Sequence, residues 1–422
     1  MKIIELKNTE SFLDDTSVQR KSQFLSGKKI CLAGGGGIAA IELPKLAREL
    51  RRHGAKVQFY VTENCLKFIG IDSLKWASND EVVVQATGLA EHICNFDAIV
   101  IIPATADLIS KIYHGICSDS VTTLAQSALG QSIPLLFCPT MHNSMFSSPI
   151  IQENIKGLAS LANVYELPTR KEEGKNKIPD PELLALDISH YINKQKNNRN
   201  LRAIVTLGAS QVMIDPVRCI TNISSGELGK ETVYALYAFG VDVKAYVGNS
   251  KFKIMRRPNL DVYENPKYED IYSNISSLAT KKIDGIFHIL AGSDFKAEKI
   301  EKRKISSSQN FKLSFEKTKK IIDLENLSDI PYKLACKLTN ENKNQGMKKA
   351  KDFLIEKKLN AVLWNDSEEA WHNNQGHKAI LFKLLENSFQ AFELKGKKEI
   401  AFQIVFDFLT YKKIKLGVLS DE

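Results

Sequence analysis

The chain has no CxxC pair. Its seven cysteines are scattered over 422 residues in an odd count without metal-ligand spacing, which argues for reduced thiols rather than a disulfide framework. No uninterrupted apolar stretch approaches the roughly 20 residues that a membrane-spanning helix needs. Residues 1–27 are polar and mixed in charge, without an apolar signal region. The expectation is therefore a cytoplasmic protein with a short N-terminal arm over residues 1–27. Neither a simple internal repeat nor a compact metal-ligand motif is visible, so no metal-binding residue is expected.

Acidic charge is the scarcer sign. With 58 Lys and Arg against 49 Asp and Glu the formal net charge is +9. The excess gathers in residues 171–177, 194–202, 296–304, 317–320 and 348–358. These runs lack interleaved aromatics, and several fall where loops are expected. They read as solvated faces and small-anion surfaces rather than a nucleic-acid footprint. Phosphorylated substrates and nucleotides are drawn to such a field.

A hydrophobic content of 43% over 422 residues supports two domains, each with a substantial core. Residues 29–33 form a short apolar strand, glycines 34–37 follow, and residues from Ile38 onward take helical spacing. Further strands are expected at 57–61, 98–102 and 133–138. Strand, glycine-rich turn, helix and strand in succession make a doubly wound α/β pattern. Residues 170–177 read as charged and irregular, 179–194 as helix, and 194–200 as a polar linker between domains spanning 28–193 and 201–422. A second α/β unit then begins, with strands at 203–207, 242–247, 284–290 and 361–364 and a helix near 229–240. Residues 399–411 read as an amphipathic helix.

The most telling run is Ile214, Asp215, Pro216, Val217, Arg218, Cys219, Ile220, Thr221, Asn222, Ile223, Ser224, Ser225 and Gly226. It follows a strand-like segment and ends in small residues that lead into a helix. That grammar suits a phosphate at a helix N-terminus, with backbone N–H groups left free by serine and glycine. Arg218 is suited to a forked contact with phosphate or carboxylate.

From Asp215 to Gly229 this stretch resembles the bifunctional phosphopantothenoylcysteine decarboxylase/phosphopantothenate–cysteine ligase family of coenzyme A biosynthesis. The family pattern is roughly Asp-Pro-Val-Arg-x-Ile-x-Asn-x-Ser-Ser-Gly-x-x-Gly. The resemblance extends over residues 28–413. It implies a flavodoxin-like N-terminal domain that binds FMN and a Rossmann-like C-terminal ligase domain that uses CTP with Mg²⁺. Gly36, Gly37, Ile38 and Ala39 match the flavin-phosphate turn, and Thr62 a phosphate contact. Pro103, Ala104, Thr105 and Ala106 match the flavin loop at a strand end, and Ser118 the following turn. His92 falls on the catalytic histidine; imidazole is suited to moving a proton near neutral pH. Met141 and His142 stand in the Pro-x-Met-Asn-x-x-Met substrate motif.

In the C-terminal half the resemblance assigns Asn222 to the acyl-cytidylate intermediate and Asp294 to the nucleotide site. It makes Lys302 catalytic and gives Lys304 and Lys357 phosphate contacts. Arg218, Ser224, Ser225 and Gly226 become substrate-binding. The implied substrates are 4′-phosphopantothenate, cysteine and CTP, and the implied assembly is a homo-oligomer, with N-terminal trimers sharing flavin sites and ligase dimers.

The chain also departs from the pattern. His142 replaces the family asparagine, whose amide binds the substrate carboxylate, and Asn143 stands one place too late. Residues 166–181 contain no cysteine where the family has a clamp thiol. Val212 stands where a carboxylate is expected, Glu227 replaces a lysine, and Leu338 replaces a glutamate. The expectation is a working ligase beside a lost or altered decarboxylase. The alternative is an FMN-binding scaffold or regulatory protein that has kept the fold without catalysis.

Overall fold

The computed structural model describes residues 15–88, 90–197, 200–308, 310–367, 377–385 and 388–414. Two compact units divide the chain, one built on Glu5–Arg199 and the other chiefly on Asn200–Tyr237 and Val241–Ile414.

In the first unit the strand Ala98–Ala104 is buried at all 7 residues. A continuous apolar run of this kind stands in the middle of a parallel sheet covered on both faces. Side chains alternate between those faces. Ile30, Leu32, Val100 and Ile102 enter one core cluster, while Cys31, Ala33, Ile99 and Ile101 enter the other. The sheet runs Val82–Val83, Lys56–Val61, Lys29–Gly34, Ala98–Ala104, Leu135–Pro139, Val164–Glu166, all parallel. Without its two-residue edge strand this is the 2-1-3-4-5 order of flavodoxin-like folds. The order reverses between Lys29–Gly34 and Ala98–Ala104, so a crevice opens where their carboxyl ends diverge.

The second unit has an eight-stranded sheet. Leu260–Glu264, Asp242–Val247, Arg202–Leu207, Gly285–His288, Tyr332–Thr339 and Ala361–Asp366 are parallel in the 3-2-1-4-5-6 order of a Rossmann fold. Lys378–Leu385 and Ser388–Lys395 then add antiparallel strands.

Several expectations are corrected. Residues 170–177 are not irregular: Arg170–Glu172 and Lys175–Lys177 form a hairpin that pairs with Met141–His142. Its turn places Glu173 and Gly174 at φ 51 and 67, the two positive values a type I′ turn requires. The helix Pro181–Asn197 continues through the first four residues of the expected linker; residues 198 and 199 lie outside the described residues. Of the expected N-terminal arm, residues 1–14 also lie outside them. The rest is packed rather than appended: Leu25 is fully buried in the core, and the Lys21 N–H donates to the Arg52 carbonyl at 2.8 Å. The C-terminal helix Lys397–Tyr411 is not amphipathic. Every residue from 400 to 409 is buried, Gln403 and Asp407 included. Asp407 is tolerated there because the Tyr332 hydroxyl donates to it at 2.8 Å and the Lys383 ammonium pairs with it.

Candidate active sites

In the first unit, the loop after Lys29–Gly34 is shaped by close approach. A Cβ on Gly36 would lie 2.5 Å from the Asn64 Cβ, so glycine lets the first two strand-end loops touch. Gly37 begins the 3₁₀ turn Ile38–Glu42 with no side-chain cap. The Thr62 N–H donates to the Gly34 carbonyl at 3.0 Å, and the Gly35 N–H to the Pro103 carbonyl at 3.2 Å. The Thr105 hydroxyl accepts from the Leu108 N–H at 3.3 Å, capping the helix Ala106–Tyr113. The Thr140 N–H donates to the Ala104 carbonyl at 3.2 Å. Gly36, Gly37, Thr62, Pro103, Ala104, Thr105 and Met141 are thus gathered at one end of the sheet, with Ile38, Ala39 and Ala106 beginning the helical turns beside them.

His92 is not bonded into that group. It is exposed in a turn, and no hydrogen bond ties it to the other expected residues. Ser118 is also exposed; its N–H donates to the Thr122 hydroxyl at 3.1 Å and its hydroxyl to Asp119 at 3.3 Å. His142 caps the short helix Asn143–Phe146, its Nδ1 accepting from the Ser144 N–H at 3.2 Å. The hairpin beside it escaped the sequence reading, although the Glu173-Gly174 turn was its signal. Asn176 Nδ2 and Thr140 Oγ1 are buried there without partners. Polar atoms left unmet in a native fold mark places where a ligand or water completes the network. An uncapped helical turn, a glycine cradle and these atoms fit a phosphorylated cofactor and a polar substrate.

The second unit turns several expected ligand contacts inward. Asp215 is fully buried and accepts from the N–H groups of Val217 at 2.7 Å, Arg218 at 2.8 Å and Ile305 at 3.1 Å. Burial pushes its pKa up, but the Ile305, Val217 and Arg218 N–H groups outweigh that, and the net direction is down. Arg218 Nη1 bonds Asp215 at 2.9 Å and the Ile305 carbonyl at 3.1 Å. That nitrogen therefore secures a loop instead of forking onto a ligand. The Asn222 Nδ2 donates to the carbonyls of Ala291 at 3.2 Å and Gly292 at 2.8 Å, so its N–H groups do not face outward. The backbone donors expected to be free are partly met as well. Ser224 and Ser225 hydroxyls accept from the Gly226 and Glu227 N–H groups, each at 3.3 Å. Gly226 has φ +76 beside Ser250, and the helix Glu227–Ala238 starts after it.

A second cluster is built around Lys357. An open cleft of about 540 Å³ is lined by Tyr272, Thr318, Lys319, Lys320, Asp323, Lys337, Phe353, Glu356 and Lys357. Lys357 pairs with Asp323 at 2.9 Å and Glu356 at 2.8 Å, and these carboxylates push its pKa up. Lys320 pairs with Asp294 at 3.2 Å. Asp294 stands two residues beyond Gly292, whose carbonyl holds Asn222. Asn222, Asp294 and Lys320 are thereby linked through the segment 291–294, and Lys320 lines the same cleft as Lys357. Lys319 and Lys320 belong to the basic run 317–320, which the sequence marked only as a solvated face or small-anion surface, and Lys337 is a cleft residue that the sequence reading missed, because a lone lysine carries no signal until the sheet places it. Lys302 and Lys304 do not line the cleft. They are exposed on a strap tied down by the Glu301 N–H to Ile214 at 2.9 Å and by the Ile305 N–H to Asp215.

Among the described residues no group of three or more His, Cys, Asp or Glu could hold a metal ion, and no helix is long and apolar enough to cross a membrane.

The Flavoprotein family model matches residues 18–226, and the DNA/pantothenate metabolism flavoprotein C-terminal domain matches residues 198–411. The coenzyme A biosynthesis bifunctional protein CoaBC of Thermococcus kodakarensis is 37% identical over 311 residues, covering 72% of this chain and 76% of its own length. The protein of the same name from Methanocaldococcus jannaschii is 31% identical over 401 residues, covering 91% and 94%. That from Haemophilus influenzae is 25% identical over 398 residues, covering 90% and 97%. With a flavoprotein half, a pantothenate-metabolism half and relatives matched along most of their length, the chain belongs to the family of bifunctional coenzyme A biosynthesis proteins.

Proposed function

We propose that the chain converts 4′-phosphopantothenate to phosphopantetheine in two steps. The second unit joins cysteine to the phosphopantothenate carboxylate at the expense of CTP, through an acyl-cytidylate. The first unit decarboxylates the resulting phosphopantothenoylcysteine with FMN. The observation that carries the reading is the lysine-lined cleft holding Lys320 and Lys357, with Asp294 paired to Lys320 and Asn222 bonded to the same 291–294 segment.

Ammonium groups fixed in a cleft favour the charge that shifts onto a departing pyrophosphate. Lys357 is suited to this because Glu356 and Asp323 hold its ammonium at the cleft. A magnesium ion would be carried by nucleotide phosphate oxygens and water rather than by side chains of this chain. Asn222 positions the 291–292 backbone beside the reacting carboxyl. In the first unit the N–H groups at the Gly37–Ile38 turn would hold the FMN phosphate, and Thr62 and the 103–106 loop would wall the flavin. FMN bound there would supply a transient two-electron acceptor for the thiol-bearing carbon and a donor of the same pair once carbon dioxide has left, so that no net oxidant is needed. His92 and Ser118 would complete such a site from outside the gathered group, and a homo-oligomer acting in the cytoplasm is part of the same proposal.

A second reading, an FMN-binding scaffold without decarboxylase turnover, is favoured by the hairpin, which carries no thiol. Mass spectrometry of products from the purified protein given 4′-phosphopantothenate, cysteine, CTP and Mg²⁺ separates the two. Phosphopantetheine supports the two-step reading. Phosphopantothenoylcysteine alone supports a ligase joined to a scaffold, and no product with FMN bound supports the scaffold throughout.

A further inference from the structure

In the second unit, Phe295–Ala297 and Phe315–Lys317 pair as a two-stranded ribbon, and a long strap joins them. Where the strap leaves the ribbon, the Glu298 N–H donates to the Ser314 carbonyl at 3.1 Å. Beyond that it is held at two points. The Glu301 N–H donates to the Ile214 carbonyl at 2.9 Å, and the Ile305 N–H to Asp215 Oδ2 at 3.1 Å. Between these anchors stand Lys302, Arg303 and Lys304. All three are exposed, and among the described residues no ion pair engages any of them.

The two oxygens of Asp215 do different things. Oδ1 accepts from the Val217 N–H at 2.7 Å and the Arg218 N–H at 2.8 Å, which closes the local turn. An asparagine carbonyl would serve that turn equally well. Oδ2 instead reaches Ile305, across a separation of 90 residues. It also accepts from Arg218 Nη1 at 2.9 Å, and the same nitrogen donates to the Ile305 carbonyl at 3.1 Å. Ile305 is thus gripped through both its N–H and its C=O. Asp215 is fully buried, and a charge taken out of water is tolerated only where its donors are in place. The strap supplies one of those donors, so carboxylate and strap hold each other.

We propose that Asp215 is a positioning residue of the ligase half. Its Oδ2 latches the strap, with Arg218 closing the latch from the other side, and so fixes where the cations 302–304 meet the triphosphate of the nucleotide. The proposal rests on the ligase reading of the second unit. Asp215 touches no ligand in this account and acts through the strap. A loop anchored at both ends loses little freedom when its side chains close on an anion, so the latch favours nucleotide binding rather than the chemical step.

The test pairs limited trypsin digestion of the full chain with steady-state ligase kinetics. Trypsin cuts after Lys302, Arg303 and Lys304, and fragment masses report each cut. Asp215→Asn keeps an acceptor for the turn but sets an amide N–H group against the Ile305 N–H and Arg218 Nη1. Ile305→Pro leaves the carboxylate intact and removes the strap's donor. Each is expected to speed cleavage at 302–304 by about tenfold or more. Each should also raise the KM for CTP by about tenfold, with kcat within about twofold of the parent. Glu301→Gln keeps the backbone N–H that forms the other anchor and should change neither reading. A cooperative thermal transition reports that each variant is folded, and where Asp215→Asn does not fold, Ile305→Pro carries the test alone. Unchanged cleavage in the folded variants overturns the proposal. Faster cleavage with an unchanged KM for CTP overturns it as well, because the latch would then hold the strap without serving the nucleotide. Latch-dependent cleavage in a chain that forms no phosphopantothenoylcysteine keeps the latch and overturns the ligase reading.

Discussion

Lys357 shows how one side chain acquires a role from its surroundings. Its stem is largely covered while its ammonium meets Asp323 and Glu356 at the rim of the cleft. Surface pairs of this kind contribute only about 0–1 kcal/mol to stability. Lys357→Gln should therefore leave thermal unfolding nearly unchanged, yet raise the KM for CTP by about tenfold with a smaller effect on kcat; steady-state ligase kinetics check this. Gly36 is constrained by space rather than charge. Gly36→Ala would drive a methyl group against Asn64 and part the two strand-end loops proposed to hold the flavin. The expected outcome is a folded protein purified with far less FMN, read from its visible absorbance. Arg218 is the counterexample. Its residue type and spacing suited a ligand, but the buried Asp215 carboxylate beside it claims part of its guanidinium.

Among the elements, the C-terminal helix shows the limit of periodicity. Residues 399–411 alternate apolar and polar residues enough to suggest a solvent face, yet 400–409 are all buried. The sheet pairs its core-facing residues with it: Phe408 packs on Phe287 at 5.6 Å and Tyr332 at 5.2 Å between ring centroids. A Cβ on Gly285 would lie 2.9 Å from the Phe408 ring. Phe408→Ala should cost about 3–5 kcal/mol, measured as a lowered denaturation midpoint, with the first unit's FMN retained. The hairpin over 170–177 makes the converse point. Most of its residues are charged and exposed, Asn176 being the buried exception, so no apolar pattern announces a strand, and backbone pairing within the hairpin and with Met141–His142 makes it one.

At the scale of the whole molecule, two of the acid-sensitive groups among the described residues, one in each unit, set separate pH windows. In the second, burial pushes His288 down to about 4, and the Thr206 hydroxyl lies 2.7 Å from its Nδ1. The unfolded chain takes up this proton near pH 6.5, whereas the folded chain resists it until about pH 4. The stabilising contribution is intact above about pH 6.5 and declines as pH falls toward 4, by about 3 kcal/mol in all. In the first unit burial raises the Glu49 pKa, but bonds from His53, Lys21 and Arg52 outweigh it and hold the carboxyl at about 2. Its contribution is intact above about pH 4.5 and is lost between there and pH 2. Calorimetric scans at graded pH should show second-unit stability falling first. His288→Asn should flatten the upper window without touching the lower.

The two-unit α/β architecture was readable because glycine turns, continuous apolar strands and helical spacing are local patterns, imposed by backbone sterics and by burial on both sheet faces. The family followed from the run around Asp215 and from the turn at Gly36. Tertiary structure alone decided which polar residues face a ligand and which face one another. Asn222, Ser224, Ser225 and Arg218 carry suitable groups in sequence, but hydrogen bonds within the fold satisfy several of them first. Lys337 carries no signal in sequence and Lys319 and Lys320 only that of a basic run, and the fold sets all three around one cleft with Lys357. The reason is that a hydrogen-bonding group commits to whichever partner the packed backbone brings within about 3 Å, and sequence spacing does not measure that distance.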